Sequence, residues 1–264
     1  MRLGKMAFVL LSVGLIVAGC TGGESTEEKI YNHLEEAVTL EDAFRDQQDP
    51  LVRLEQEEKE LYNKIIDLGM DEMDKIKKHS NEALDIIEQR KEKLEVEKES
   101  IDAAQKEFEN VKPLIEDLEK EEAQEKANKM ANAFNDRYKA YQDLYDAYSA
   151  SLKEDKKLYE MLQDKELKKE KLEEQIEKIN QSYDKVMKAN EAFNKYTKEY
   201  NTLKREFYDA TELEVQYDEE SSEKQNSSSE EDKNKEEKTT DGSQENGSSD
   251  SDAEEQEESK DDNS

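Results

Sequence analysis

Helix-breaking residues are almost absent from the long central part of this chain. Between Thr26 and Tyr217 the sequence contains only two prolines and one glycine, namely Pro50, Pro113 and Gly69. A globular enzyme of this size needs many turns, and turns depend on residues of this kind. Lys, Glu, Leu and Ala dominate the span instead, which is typical of long helices or coiled coils. The sequence therefore predicts an all-α body in which a thin apolar core lies between long helices.

Apolar residues repeat every seven positions along three lines in this span. One line runs through Met73, Ser80, Ile87, Leu94, Ile101 and Phe108. A second line, offset by three, contains Ile76, Ala83, Arg90, Glu97, Ala104 and Val111. A third line contains Leu172, Ile179, Val186, Phe193, Tyr200 and Phe207. Steps that alternate between three and four are the coiled-coil pattern, and the polar residues Arg90 and Glu97 weaken it in the second line.

The first helix is predicted from its capping residues. Ser25 and Glu28 have the spacing of a capping box, which indicates a helix start at that point. The polar stretch 46–49 is predicted to end this helix. Asp49 and Pro50 resemble an N-cap followed by proline at the first helical position, so the next helix is expected to begin there.

Three further segments complete the predicted body. A long helical region runs from Pro50 to about Val111, with Gly69 as either a kink or a break. Asn110–Pro113 is read as a tight turn, with a kink as the alternative. The following helix ends at about Leu162, and residues 163–165 form either a turn or continuous helix. Since short connections make neighbouring helices antiparallel, we expect an elongated antiparallel bundle of three long helices with the first short helix docked on one end.

The N-terminus has the layout of a secretory leader. Arg2 and Lys5 precede the apolar residues 6–18, and the run Val-Ala-Gly-Cys that ends at Cys20 resembles a bacterial lipobox. An apolar run of this length is too short to span a bilayer, which needs about 20 residues. We therefore predict cleavage between Gly19 and Cys20, with S-diacylglycerol and N-acylation on Cys20. Two or more acyl chains anchor a protein stably, which predicts attachment to the extracytoplasmic face of the cell membrane.

The C-terminal segment differs sharply in composition from the body. Residues 218–264 contain 19 acidic and 5 basic residues, 11 serines and no aromatic residue. Such a segment cannot bury enough apolar surface to offset the entropy of ordering, so a disordered acidic tail is predicted. The predicted organisation is thus a signal peptide at 1–19, a lipidated tether at 20–24, a helical bundle at 25–217 and the tail at 218–264.

The charge of the chain excludes some partners. The formal net charge is -31 at pH 7. Nucleic-acid binding needs clustered Lys and Arg, and the lysine runs of this chain are interleaved with acidic residues. The negative body is also expected to be repelled from an anionic membrane surface.

Catalytic, cofactor and metal-binding motifs are missing from the sequence. The two histidines, His33 and His79, lie outside any pattern with metal-ligand spacing. Phosphate-binding and dinucleotide-binding glycine loops are absent, and a coiled-coil seam offers no cleft for a carboxylate pair. The sequence therefore predicts a protein that is not an enzyme and has no cofactor or metal.

A band of tyrosines is the most distinctive feature of the predicted bundle. Tyr138, Tyr141, Tyr145 and Tyr148 lie within about three helical turns. One interpretation places them in the core, where the ring is buried and the hydroxyl reaches the polar rim. The other interpretation is an exposed aromatic patch that binds a glycan or a partner helix.

The chain resembles the YkyA-type cell-wall-binding lipoproteins of Gram-positive bacteria. The resemblance depends on the lipobox before Cys20, the segment Leu61–Met70 and the segment Glu88–Leu94, and covers about residues 1–217. It implies wall association, without assigned catalytic residues, and only the acylated Cys20 carries over. The expected function is that of a membrane-anchored lipoprotein that binds peptidoglycan or a wall-associated protein. The alternative is a coiled-coil adaptor that recruits or regulates an envelope enzyme.

Overall fold

The structure is a computed structural model that describes residues 13–15, 23–211, 213 and 215–217. The predicted acidic tail, the predicted lipid acceptor Cys20 with its two following residues, and most of the predicted leader lie outside the described residues.

Six α-helices account for almost all of the described residues, which confirms the all-α prediction. They are α1 (Thr26–Leu40), α2 (Asp42–Ile66), α3 (Met73–Phe108), α4 (Val111–Ile115), α5 (Glu121–Leu162) and α6 (Lys169–Ala210). A 3₁₀ turn, Met70–Glu72, precedes α3. Two three-residue strands, β1 (Val13–Leu15) and β2 (Val215–Tyr217), pair antiparallel and were not predicted.

The long helices form an up-down-up-down bundle. The first ascending unit is α1 with α2, and α3 descends beside it, since His33 pairs with Glu107 and Glu58 with Arg90. Next, α5 ascends and α6 descends. The predicted three-helix bundle is therefore wrong in number, because the region from Pro50 to Val111 contains parts of two antiparallel helices.

Gly69 lies in a true chain reversal. It follows the end of α2 and accepts a hydrogen bond at its carbonyl from the Glu72 amide, at 2.9 Å. Leu61 and Ile65 on α2 are buried in the same core cluster as Met73 and other apolar residues of α3. This packing stabilises the hairpin. Of the two alternatives for Gly69, a kink or a break, the structure therefore has the break.

The predicted boundary at Asp49–Pro50 is wrong. Pro50 lies inside α2, and the break occurs at Glu41, whose φ of -85° and ψ of 0° depart from helical values. Proline in a helix interior removes a hydrogen bond at a cost of about 3 kcal/mol. Burial of Phe44 and Leu51 on either side of the proline, within one core cluster, offsets this cost.

The reversal near Pro113 is longer than predicted. Asn110–Pro113 is not itself the tight turn, because Pro113 lies in the short helix α4 and the chain reverses over residues 109–120. Proline is tolerated in the first turn of a helix, where its missing N–H has no partner to lose. Val111 and Ile115 of α4 are buried in the same cluster as Phe108, which fixes the corner.

The remaining boundaries agree with the sequence. The capping box between Ser25 and Glu28 is present, and α5 ends at Leu162. Residues 163–168 then form a turn. Its neighbour is the α2–α3 turn, since Gln163 donates to Asn81 at 3.2 Å near the start of α3. We call this end of the bundle the distal end, because it lies opposite the start of α1.

Candidate functional site

The predicted tyrosine band divides into buried and surface members. Tyr141 and Tyr148 are buried in the core, where Tyr141 packs edge-on against Phe44. Tyr138 and Tyr145 are only partly buried and lie on the outer side of the contact between α3 and α5. An exposed patch can therefore include Tyr138 and Tyr145 but not the two buried tyrosines.

The two surface tyrosines bind acidic residues on α3. Tyr138 donates to Asp102 at 3.0 Å, and Tyr145 donates to Glu95 at 2.9 Å. Lys98 lies between these carboxylates, forms an ion pair with Asp102 and has its Nζ 5.7 Å from the centre of the Tyr145 ring. These contacts produce a continuous line of aromatic and charged groups on the bundle surface.

Gln142 lies between the two tyrosines on α5. We call this surface line the seam strip, and it consists of Glu95, Lys98, Asp102, Tyr138, Gln142 and Tyr145. On α3, Glu95 and Asp102 are seven positions apart, which corresponds to about 10 Å of helix.

Three buried polar atoms along this contact have no hydrogen-bond partner among the described residues. They are the Tyr141 hydroxyl, Nε2 of Gln142 and Oε1 of Gln105. Burial, with the nearby charge of Glu97 as the next cause, raises the pKa of Tyr141 far above its ordinary value. The Tyr141 hydroxyl is therefore neutral.

Tyr148 belongs to a second, interior site around Arg90. Its hydroxyl accepts hydrogen bonds from Nε and Nη2 of Arg90, at 3.1 and 2.9 Å, and donates to Glu55 at 2.7 Å. Arg90 also pairs with Glu58 and lies 3.6 Å from Asp155. One guanidinium is thus surrounded by three carboxylates from two helices.

The surplus of carboxylates around Arg90 changes their protonation. Burial raises the pKa of Asp155 to about 7, and the nearby charge of Glu58 acts in the same direction. Burial also raises the pKa of Glu58, although Arg90 opposes this shift. Tyr183 donates to Asp155 at 2.7 Å, so α6 joins the cluster as well. The cluster links all four long helical units, and within it the pKa of Asp155 lies near neutral pH.

Glu97 is a further buried carboxylate on α3. It is 4% exposed and accepts a hydrogen bond from Gln48 on α2. Burial, with the charge of Glu55 as the next cause, raises the pKa of Glu97 to about 8. The two polar residues that weaken the predicted heptad line, Arg90 and Glu97, are therefore both buried inside the bundle.

Two more buried cations lie nearer the start of α1. Arg137 pairs with Glu41, donates to Thr197 at 3.1 Å and lies over the Phe193 ring at 5.0 Å. Lys204 pairs with Glu35 at 2.8 Å. With Arg90 they form a ladder of three cations along the bundle interior.

The histidines form simple pairs with glutamates. His33 Nδ1 lies 2.6 Å from Glu107, and His79 Nδ1 lies 2.9 Å from Glu82. Within the described residues, no group of three or more His, Cys, Asp or Glu side chains is arranged to hold a metal ion. The predicted lipidation and cleavage residues, Cys20 and Gly19, lie outside the described part of the chain.

The distal end differs from the rest of the body in charge. Residues 64–79 and 160–171, which contain the two turns, carry eight acidic and eight basic residues. The body as a whole, residues 20–217, carries 52 acidic and 33 basic residues. Ile66 and Met70 are 58% and 62% exposed at this end. The distal end is therefore nearly neutral and exposes apolar side chains.

None of the helices in the described residues is long and apolar enough to cross a bilayer.

Comparison with known proteins gives a relative and a solved structure. The "Uncharacterized lipoprotein YkyA" of Bacillus subtilis (strain 168) is 36% identical over 205 residues, which cover 78% of this chain and 92% of that protein. A crystal structure of a conserved protein of unknown function from Staphylococcus aureus is 15% identical, with a TM-score of 0.48. That similarity covers 73% of this chain and 97% of the other.

A family model named YkyA, described as "Putative cell-wall binding lipoprotein", matches residues 25–210. The match begins at the capping serine of α1 and ends at the last residue of α6. It therefore covers the complete bundle. The chain belongs to the YkyA family of lipoproteins.

Proposed function

We propose that this protein is anchored by lipid on the extracytoplasmic face of the cell membrane and binds the cell wall, either peptidoglycan or a wall-associated protein. The observation that supports this proposal is the direction of the bundle. α1 begins six residues after Cys20, and the up-down order places the α2–α3 and α5–α6 turns at the opposite end. A helix of 42 residues is about 63 Å long, so the body extends well away from its anchor.

The distribution of charge supports the same orientation. The acidic body is repelled by anionic headgroups within about a Debye length, which favours a bundle that stands off the membrane. The nearly neutral distal end meets less repulsion from an anionic wall polymer than the rest of the body does. A neutral glycan or a protein surface is a better direct partner than an anionic polymer, because most of the body is acidic.

A sedimentation experiment with purified wall sacculi tests the proposal. The full lipidated chain in detergent is mixed with sacculi at physiological salt, with and without divalent cations, and the pellet is analysed. We expect the protein to sediment with the sacculi and to remain in solution without them. Protein that stays in the supernatant under both conditions would show that direct wall binding is wrong.

The alternative of an adaptor for an envelope enzyme receives less support from the packing. A partner helix needs a contiguous apolar groove. The large apolar side chains that are exposed in the described residues are Val52, Ile66, Met70, Val96 and Met187. Apart from Ile66 and Met70 at the distal end, they lie singly on three different helices, α2, α3 and α6, and so do not form a contiguous groove.

A further inference from the structure

We infer that the seam strip is a binding site for a neutral, hydroxyl-rich glycan of the kind built from N-acetylated amino sugars. This inference depends on the proposed function, because it names the wall component and the surface that contacts it. The seam strip lies on the side of the bundle, between α3 and α5, and not at the distal end.

The aromatic groups of the strip have a spacing that suits an extended chain of sugar rings. Tyr138 and Tyr145 are seven residues apart on α5, which separates them by about 10 Å along the helix. Tyrosine offers an apolar ring for packing and a hydroxyl that keeps a polar partner, which is the combination a sugar surface requires. Both hydroxyls already bind carboxylates, so the phenol groups are held in place before any ligand arrives.

The polar groups of the strip are suited to hydroxyl and amide groups. Asp102 and Glu95 accept hydrogen bonds, whereas Lys98 and the side-chain amide of Gln142 donate them. A sugar hydroxyl both donates and accepts, and an N-acetyl group adds one donor and one acceptor. A ligand of this class can therefore bind both kinds of group in one line.

Unpartnered polar atoms beneath the strip provide a second, independent observation. Tyr141 is 1% exposed, and its hydroxyl has no hydrogen-bond partner in the described structure. The nearby atoms Gln142 Nε2 and Gln105 Oε1 have none either. A buried polar group without a partner is destabilising, so each such group calls for an explanation, and a polar ligand that completes the bonding is one. Three of them along one helix contact favour a polar ligand over an apolar one.

The charge of the seam strip favours a neutral glycan over other components of the cell wall. The strip has two carboxylates and one ammonium group, on a body that is acidic overall. An anionic polymer would be repelled, and an apolar partner helix would leave the carboxylates without solvent. A neutral glycan meets neither penalty.

Isothermal titration calorimetry tests the inference by adding chitotetraose to the full lipidated chain in detergent. A second assay measures sedimentation of the protein with glycan strands from which peptide and anionic polymer have been removed. The test variant is Tyr138→Ala/Tyr145→Ala. The matched control is Tyr62→Ala/Tyr196→Ala, which removes two partly buried tyrosines from α2 and α6. We expect the seam variant to weaken glycan binding at least tenfold and the control to leave it unchanged, with both variants folded by circular dichroism.

A second variant separates binding from folding. Gln142→Leu removes an amide whose Nε2 has no partner, so the melting temperature is expected to stay level or rise while glycan affinity falls. Such a result is not produced by a residue that only supports the fold.

The outcomes distinguish the inference from the proposed function. If sacculi bind the protein but the purified glycan does not, the inference is wrong and wall binding stands. If glycan binding is equal in the seam variant and the control, the site is misplaced and the inference is overturned. If neither sacculi nor glycan binds, both are wrong.

Discussion

Arg137 on α5 and Glu41 at the corner between α1 and α2 form a two-pronged ion pair, although they are 96 residues apart in sequence. Nη1 donates to Oε1 at 2.5 Å and Nη2 donates to Oε2 at 2.6 Å. Both side chains are 2% exposed. The pair therefore fixes the corner of the first ascending unit to the second ascending helix.

Removing one partner of this pair is expected to be strongly destabilising. Arg137→Met leaves the Glu41 carboxylate buried without its ion-pair partner, and the loss of one partner of a buried pair typically costs about 3–5 kcal/mol. The free energy of unfolding, measured by urea titration with circular dichroism, should fall by about this amount. A change below about 1 kcal/mol would contradict the assignment of a buried pair.

The double variant Glu41→Leu/Arg137→Met is the control for this prediction. It removes both charges and replaces them with apolar side chains, which is often neutral or stabilising for buried pairs. We expect it to recover most of the stability lost in the single variant. The free energies of the wild type, both single variants and the double variant complete a double-mutant cycle.

The interior ladder was only partly predictable from the sequence. Arg90 and Glu97 interrupt a heptad line, so a polar group at a core position was visible there. No sequence pattern indicates the pairing of Arg137 with Glu41, because this pairing depends on the corner at Glu41. That corner has no glycine or proline, so its position is decided by packing and not by local preference.

The two prolines are expected to respond in opposite ways to replacement by alanine. Pro50 lies in the interior of α2, where it lacks an N–H and restricts the preceding turn, so Pro50→Ala should raise the free energy of unfolding by about 1–3 kcal/mol. Pro113 lies in the first turn of α4, where proline is tolerated. Pro113→Ala should therefore change the free energy of unfolding by no more than about 0.5 kcal/mol. Any change should be a decrease, because the unfolded chain gains conformational entropy when proline is replaced.

Thermal unfolding of both variants tests this contrast. An unchanged or lower melting temperature for Pro50→Ala would mean that the proline is accommodated by a local bend of α2. The prediction from the sequence used the same residue as a helix start. It failed because the apolar residues on both sides of Pro50 continue one buried face, and tertiary packing overrides the local signal.

Replacement of the predicted lipid acceptor should detach the protein from the membrane. Cys20→Ala removes the only thiol of the chain. Because stable attachment needs more than one acyl chain, the variant should lose both metabolic labelling with radioactive palmitate and sedimentation with membranes. Cys20→Ser serves as the isosteric control and should behave in the same way. Full membrane recovery of either variant would refute the anchor.

The stability of the bundle should fall as the pH rises through neutrality. Burial raises the pKa of Glu97 to about 8 and that of Asp155 to about 7, whereas unfolded Glu and Asp have pKa values of about 4.3 and 3.9. The folded state therefore binds more protons than the unfolded state between about pH 4 and pH 8. The stability that these protons provide is fully present below about pH 4 and is lost as the pH rises through the folded pKa values.

Glu97→Gln isolates one contribution to this dependence. Glutamine resembles the protonated carboxyl, so the variant should match the wild type at or below about pH 4 and exceed its free energy of unfolding at pH 9 by at least about 1.4 kcal/mol. Chemical denaturation at several pH values between 4 and 9 measures both slopes. Glu95→Gln is the matched control, because Glu95 lies at an exposed position on the same helix. The same chemical change there should leave the pH dependence of the free energy of unfolding as in the wild type. Suppose instead that the free energy of unfolding depends on pH equally steeply in Glu97→Gln and in the wild type. Glu97 would then be already ionised in the folded bundle at neutral pH, and the prediction would be wrong.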